Sequence, residues 1–149
     1  MNLSQFVESK EVYYGKNLVS ADEMKSIERE LGISFGKELS QYVLKYGYLG
    51  YKHIELYGLN SKQMYESDMI KQTKYLHKYF PKTADYIALE NTGDGNYIVV
   101  SSSDDVFEYT SEDDGIHKMG MKLFNYILNR FNIFRFEFTG LKFHSHKTT

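Results

Sequence analysis

The stretch ENTGDGNYIVV, residues 90–100, sets two glycines around an aspartate just ahead of a β-rich run. Residues of these types can cradle a phosphate, grip a calcium ion or turn a corner. A dinucleotide fingerprint needs a third glycine and a strand leading into a helix, because the helix N-terminus holds the pyrophosphate. Here Ile98 stands at the third position and strand-forming residues follow. A phosphate-binding loop of the Gly-Lys-Ser/Thr kind is absent. An EF-hand needs oxygen ligands at alternate positions, and Asn91, Gly93 and Gly95 break that series. A hairpin accounts for every residue: Gly93, Gly95 and Asn96 tolerate positive φ, and Asp94 favours turns.

Three other groupings carry candidate chemistry. His53 and Glu55 have the H-x-E spacing of zinc deaminases, but that chemistry also needs a P-C-x-x-C segment to hold the metal. The chain has no cysteine, so an alternating strand with two outward polar residues explains the pair. His144 and His146 flank one serine and on an extended chain could share a metal; no third ligand can be named, and solvated tail histidines explain them more simply. Lys71, Lys74 and Lys78 recur at helical spacing beside Tyr75 and Tyr79. This suits a phosphate-contacting face, or more simply a solvated helix face over buried aromatics.

Residues 104–114, DDVFEYTSEDD, differ from these. Asp104, Asp105, Glu108, Glu112, Asp113 and Asp114 bring six negative charges and no positive one. Like charges this close destabilise a fold unless screened or used. A solvated hairpin turn is the plainest account and a calcium site the weakest. The functional account is an acidic docking surface that steers a basic protein partner, with Tyr109 as an anchor. No nucleophile elbow, HExxH, Cys–His pair or obvious carboxylate pair is present. We therefore expect no catalysis, cofactor or metal.

The totals agree. A length of 149 residues suits one domain with a sizeable core. The net charge of −2 gives no pull toward nucleic acid. The absence of cysteine excludes disulfides and thiol catalysis and fits a reducing compartment. MNLSQFVESKEVYYG lacks the apolar core of a secretory signal, and no apolar run approaches the ~20 residues of a membrane helix. A soluble cytoplasmic protein is expected.

The elements that must position these residues follow from pattern. Residues 3–14 read as a short amphipathic, helical lead-in. In LVSADEMKSIERELG, Ser20 and Glu23 have capping-box spacing, Val19 and Met24 staple spacing, and Met24, Ile27 and Leu31 share a face before Gly32. Ser34 can cap a second helix with Leu39, Tyr42, Val43 and Tyr46 on one stripe, ending at Gly47; the two helices should pack as a hairpin. Residues 51–59 read as a strand, 61–80 as a helix ended by Pro81, and DYIALE, YIVVSS and DVFEYT as three strands. SEDDGIHK reads as a loop, MGMKLFNYILNRF as a helix with Leu123, Tyr126, Ile127 and Phe131 inward, and IFRFEFTGLKF as an alternating strand. HSHKTT, 144–149, reads as a frayed tail. Helices early and hairpin-linked strands later predict an α+β fold with a largely antiparallel central sheet and helices packed around it, in one domain over 1–149.

The ordered set resembles the SUKH superfamily, the Smi/Knr-type domain. Ile27, Glu30, Leu31 and Gly32, then Leu39, Tyr42, Val43, Leu44, Tyr46 and Gly47, look like its entry helices. ELYGL, IALENTGDGNYIVV, VFEYT and LFNYIL resemble its later strands, Gly-Asp-Gly hairpin and late helix, in order over roughly 20–130. Two departures stand out: Gly36 where the family usually has proline, and Asp104–Asp105 where a glycine turn is common. The resemblance implies an α+β binding domain without catalysis. Bacterial members act as immunity proteins that bind and neutralise a cognate toxin, often a nuclease; fungal members act as scaffolds in cell-wall signalling. The small size looks like the bacterial kind.

Overall fold

The computed structural model describes residues 2–9, 12–16, 18–60 and 68–138. Helix α1 (Leu3–Ser9) leads into β1 (Val12–Tyr14), and helices α2 (Ala21–Leu31) and α3 (Lys37–Lys45) into a tight hairpin of β2 (Leu49–Tyr51) and β3 (Ile54–Leu56). Helix α4 (Asp68–Tyr79) and a 3-10 turn (Pro81–Thr83) precede four strands, β4 (Ile87–Gly93), β5 (Asn96–Val100), β6 (Asp105–Thr110) and β7 (Gly115–Lys122), and helix α5 (Leu123–Phe138) follows. Two antiparallel sheets result, ordered β1-β2-β3 and β4-β5-β6-β7. The architecture is α+β.

Local chemistry explains the best-defined elements. Ser20 accepts from the Glu23 N–H at 3.1 Å while the Glu23 carboxylate accepts from the Ser20 N–H at 2.9 Å, so the capping box forms. Gly32 closes α2 at φ 74°. Asp94 and Gly95 take φ of 56° and 79° between β4 and β5, the two positive values that a type I′ hairpin requires. Gly93–Asp94–Gly95 therefore turns the chain. Alternate residues of β4 and β5 divide between two faces: Ile87, Leu89, Ile98 and Val100 join the main core, and Ala88, Tyr97 and Val99 pack with Leu76 of α4. Phe6, Tyr51 and Phe131 meet at ring distances of 5.3–5.8 Å, which ties α1, the small sheet and α5 together.

Several expectations need correction. The lead-in helix stops at Ser9, and Val12–Tyr14 forms β1 on β2, since a Val-Tyr-Tyr run gains more from pairing than from one further helical turn. Residues 51–59 are not one strand: Tyr51 ends β2 and Lys52, at φ 56°, turns the chain into β3. Ser34 does not cap α3; Gly36 is the N-cap and brings no side-chain bond of its own. The expected loop over 111–118 is a turn only to Asp114. Gly115–Lys122 is an edge strand on β6, so α5 starts at Leu123 rather than Met119. That strand was masked by its irregularity, a register shift beside Gly120 at φ 75°.

The Phe-x-Phe-x-Phe alternation of 134–138 does not make a strand either, because α5 continues through Phe138. A helix already nucleated and anchored by Leu123, Ile127 and Phe131 extends at one hydrogen bond per residue, whereas a strand there would need a partner edge. The helical expectation for 61–67 and the tail with His144 and His146 lie outside the described residues.

Candidate functional site

The acidic stretch becomes β6 and the turn into β7, in the last hairpin of the four-stranded sheet, together with the end of the turn before it. Its members separate into three environments. Asp104 is buried, 6% exposed, at φ 69°, and its carboxylate accepts from the N–H groups of Glu38 at 2.9 Å and Leu39 at 3.0 Å. It caps α3 from across the fold. Tyr109 is fully buried; its ring packs against Phe80 at 5.2 Å and its hydroxyl donates to Asp114 at 2.7 Å. Neither residue offers a surface to a partner in this conformation.

Asp105, Glu108, Glu112, Asp113 and Asp114 remain. Glu112, Asp113 and Asp114 project from the four-residue turn into solvent, and Asp105 and Glu108 are partly exposed along β6. The fold supplies counter-charges that one-dimensional reading missed. Lys122 lies 3.1 Å from Asp105 and also donates to the Ser103 carbonyl. Lys82 approaches Asp114 at 3.8 Å. His117 sits 2.9 Å from Asp113 and 3.1 Å from the Thr110 hydroxyl, which also donates to Asp113. The signal was present in the lysines and histidine of GIHKMGMK, but reading that segment as loop and helix hid their cross-strand positions.

These contacts set the titration behaviour. The Lys122 ammonium and then the Ser103 hydroxyl hold the Asp105 carboxyl below its ordinary range. The Thr110 hydroxyl, helped by His117, does the same for Asp113. Burial, and next the bond to Asp114, pushes the Tyr109 phenol up to about 12. Asp105 and Asp113 are thus held as carboxylates beside a neutral, buried Tyr109.

The other candidates resolve differently. His53 lies exposed in the β2–β3 turn and Glu55 points outward from β3. Lys74 pairs with Glu30, and Lys78 lies over the Tyr79 ring at 5.2 Å. Tyr75 and Tyr79 are not buried beneath these lysines but pack against each other at the surface, with tilted rings 5.0 Å apart. Among the described residues no group of three His, Cys, Asp or Glu could hold a metal, and no helix is long and apolar enough to cross a membrane.

Entry helices capped in this order, a small three-stranded sheet, and a four-stranded meander opened by an Asp-Gly hairpin define a small α+β domain with an acidic rim. The family model SUKH_5, described as SMI1-KNR4 cell-wall, matches residues 3–132, and the chain belongs to that family. Its domains often serve as toxin-immunity or Smi1/Knr4-type regulatory proteins. Among solved structures, a crystal structure of a protein from Pseudomonas syringae pv. tomato is similar, with a TM-score of 0.57 and 16% identity over 73% of this chain and 81% of that one; the likeness is one of fold. No protein of curated function matches the sequence.

Proposed function

We propose that this chain is a non-catalytic, single-domain immunity protein that neutralises a cognate toxin by binding it directly in the cytoplasm of a bacterial cell. Family membership over residues 3–132 carries the reading. The exposed rim of Asp105, Glu108, Glu112, Asp113 and Asp114 supports it. Neutralisation needs tight, fast association: a nanomolar complex corresponds to about −12 kcal/mol, and complementary charge raises the association rate. Toxins that act on nucleic acid carry basic surfaces, which suit an acidic rim.

The test is affinity capture of the tagged protein from its source cells, followed by binding kinetics. One stoichiometric partner with a toxic domain, neutralised on co-expression, is expected. Replacing Asp105, Glu112, Asp113 and Asp114 together with Asn or Gln should slow association and flatten its salt dependence. An unchanged rate and salt slope would remove this rim from the interface. The cell-wall description of the matched family favours a second reading, a regulatory scaffold; several substoichiometric partners of micromolar affinity would select it.

A further inference from the structure

A cavity of about 330 Å3 opens beside the three-stranded sheet, and its lining is chemically one-sided. Among the described residues, its lining includes Tyr13, Tyr48 and Tyr57, the acids Glu55 and Asp68, and Asn60, and none of the described lining residues is Lys, Arg or His. Among the described residues, neither carboxylate is paired with a cation.

Strand register builds this arrangement. Tyr13, Gly50 and Glu55 stand side by side across β1, β2 and β3. Because Gly50 lacks a side chain, the Tyr13 ring lies over it: a Cβ at Gly50 would fall 2.5 Å from Cζ and 2.8 Å from the hydroxyl oxygen of Tyr13. The ring is thereby carried across β2 toward Glu55, the next residue in the row. It keeps 48% of its surface open, so an aromatic face and a carboxylate are presented together. An anion would meet repulsion there, and a neutral apolar ligand would desolvate two carboxylates without compensation. An organic cation meets the negative face of a ring and an opposite charge at once.

We propose that this cavity binds an organic cation, an alkylammonium or guanidinium group, held against the Tyr13 ring and paired with Glu55 and Asp68. The group can arrive as the Lys or Arg side chain of a docking protein or as a free amine. The site lies on the β1-β2-β3 sheet, apart from the acidic rim of β6 and β7, so either assignment can fail without the other.

The experiment is an amide-resolved NMR titration of the full chain with butylamine, N-acetyl-lysine amide and N-acetyl-arginine amide, against butyrate as the matched anion. Saturable shifts at Gly50, Glu55, Gly58 and Asp68 are expected with the cations and not with butyrate. A Glu55→Gln/Asp68→Asn variant should weaken binding at least about tenfold. Both side chains are exposed, so that variant keeps its fold; Tyr13→Ala is the second and should weaken binding as well. Backbone-blocked probes binding at least as well as butylamine point to a protein side chain as the source. Butylamine binding while the blocked probes fail points to a free amine. No saturable shift with any cation, equal shifts with butyrate, or full affinity in the carboxylate variant would overturn the proposal.

Discussion

The Asp104 carboxylate lies against the α-carbon of Gly36, so close that a Cβ at Gly36 would stand 2.6 Å from Asp104 Oδ2. From there it accepts the free N–H groups of Glu38 and Leu39 in the first turn of α3. Glu38 in turn accepts from the N–H of Phe124 at 2.8 Å, in the first turn of α5. Helix α3, whose own N-cap Gly36 offers no side chain, and helix α5 thus each receive a carboxylate from elsewhere in the chain, which places negative charge at a helix N-terminus. Gly36 and Asp104 are also positions at which the resemblance drawn from the sequence is broken. The structure makes them one feature: an aspartate at a left-handed turn position can reach the helix only because position 36 has no side chain.

Substitutions at these two positions should therefore couple. Asp104→Gly removes the cap but suits φ 69°, and should destabilise by about 1 kcal/mol. Gly36→Ala alone should be worse, because it drives a methyl group into a buried carboxylate. In the Asp104→Gly background the same alanine should be far better tolerated. Urea melts of the four proteins should give an interaction energy of at least ~1 kcal/mol; strict additivity would show that the contact is incidental.

Glu90 offers a second stability test. It is 3% exposed and accepts from Arg130 Nη2 at 2.6 Å and Nε at 3.1 Å, and from the Tyr126 hydroxyl at 2.8 Å. This network fastens α5 to β4 at the register shift beside Ala88. Glu90→Ala leaves Arg130 and Tyr126 without their acceptor. The loss should approach ~3 kcal/mol, the low end for breaking a buried pair, because Arg130 keeps partial access to water. Arg130→Lys should also destabilise, since an ammonium cannot reproduce the two-pronged contact. A Glu90→Ala midpoint in urea equal to wild type would mean the network contributes nothing.

Much of this was readable along the chain, and the failures share a cause. The Ser20–Glu23 box, the Gly32 stop and the Asp94–Gly95 turn are local chemistry, and each formed where its residues stand. DYIALE and YIVVSS also read as strands, and β4 and β5 form there. Edge and three-residue strands did not: Val12–Tyr14, Leu49–Tyr51 and Gly115–Lys122 exist through partners distant in sequence. The α3 cap was invisible for the same reason, since Ser34 is the local candidate and Asp104 the spatial one. The acidic stretch was legible as charge but not as environment. Nothing in DDVFEYTSEDD says that Asp104 and Tyr109 turn inward while Glu112 and Asp113 turn out.

Two acids of the rim should titrate below the ordinary aspartate range. Asp105 and Asp113 have folded values below the ordinary aspartate value of about 3.9. Their contribution to folding is present above that value and is lost as pH falls through the lower, folded one. Both side chains are about half exposed, so the effect on global stability is small and the site-resolved titration is the informative measurement. Carboxyl NMR should give midpoints below 3.9 for both. Lys122→Met should raise that of Asp105, and Thr110→Val that of Asp113. If Thr110→Val leaves Asp113 where it was, the hydroxyl is not its chief stabiliser.

Base should unfold the protein through its tyrosines. Burial is the first cause that raises Tyr42, Tyr57, Tyr97, Tyr109 and Tyr126, and Tyr109 reaches about 12. An unfolded tyrosine ionises near ~10. Above that pH the native state therefore holds more protons than the unfolded one, and stability falls as pH rises from about 10 toward about 12. The buried phenols should not ionise one by one. Tyrosinate absorbance should show a cooperative phase that coincides with loss of circular dichroism. Tyr109→Phe removes one raised group and its bond to Asp114, and should shrink that phase. A single gradual titration centred near ~10 with unchanged dichroism would show that these tyrosines reach solvent without unfolding.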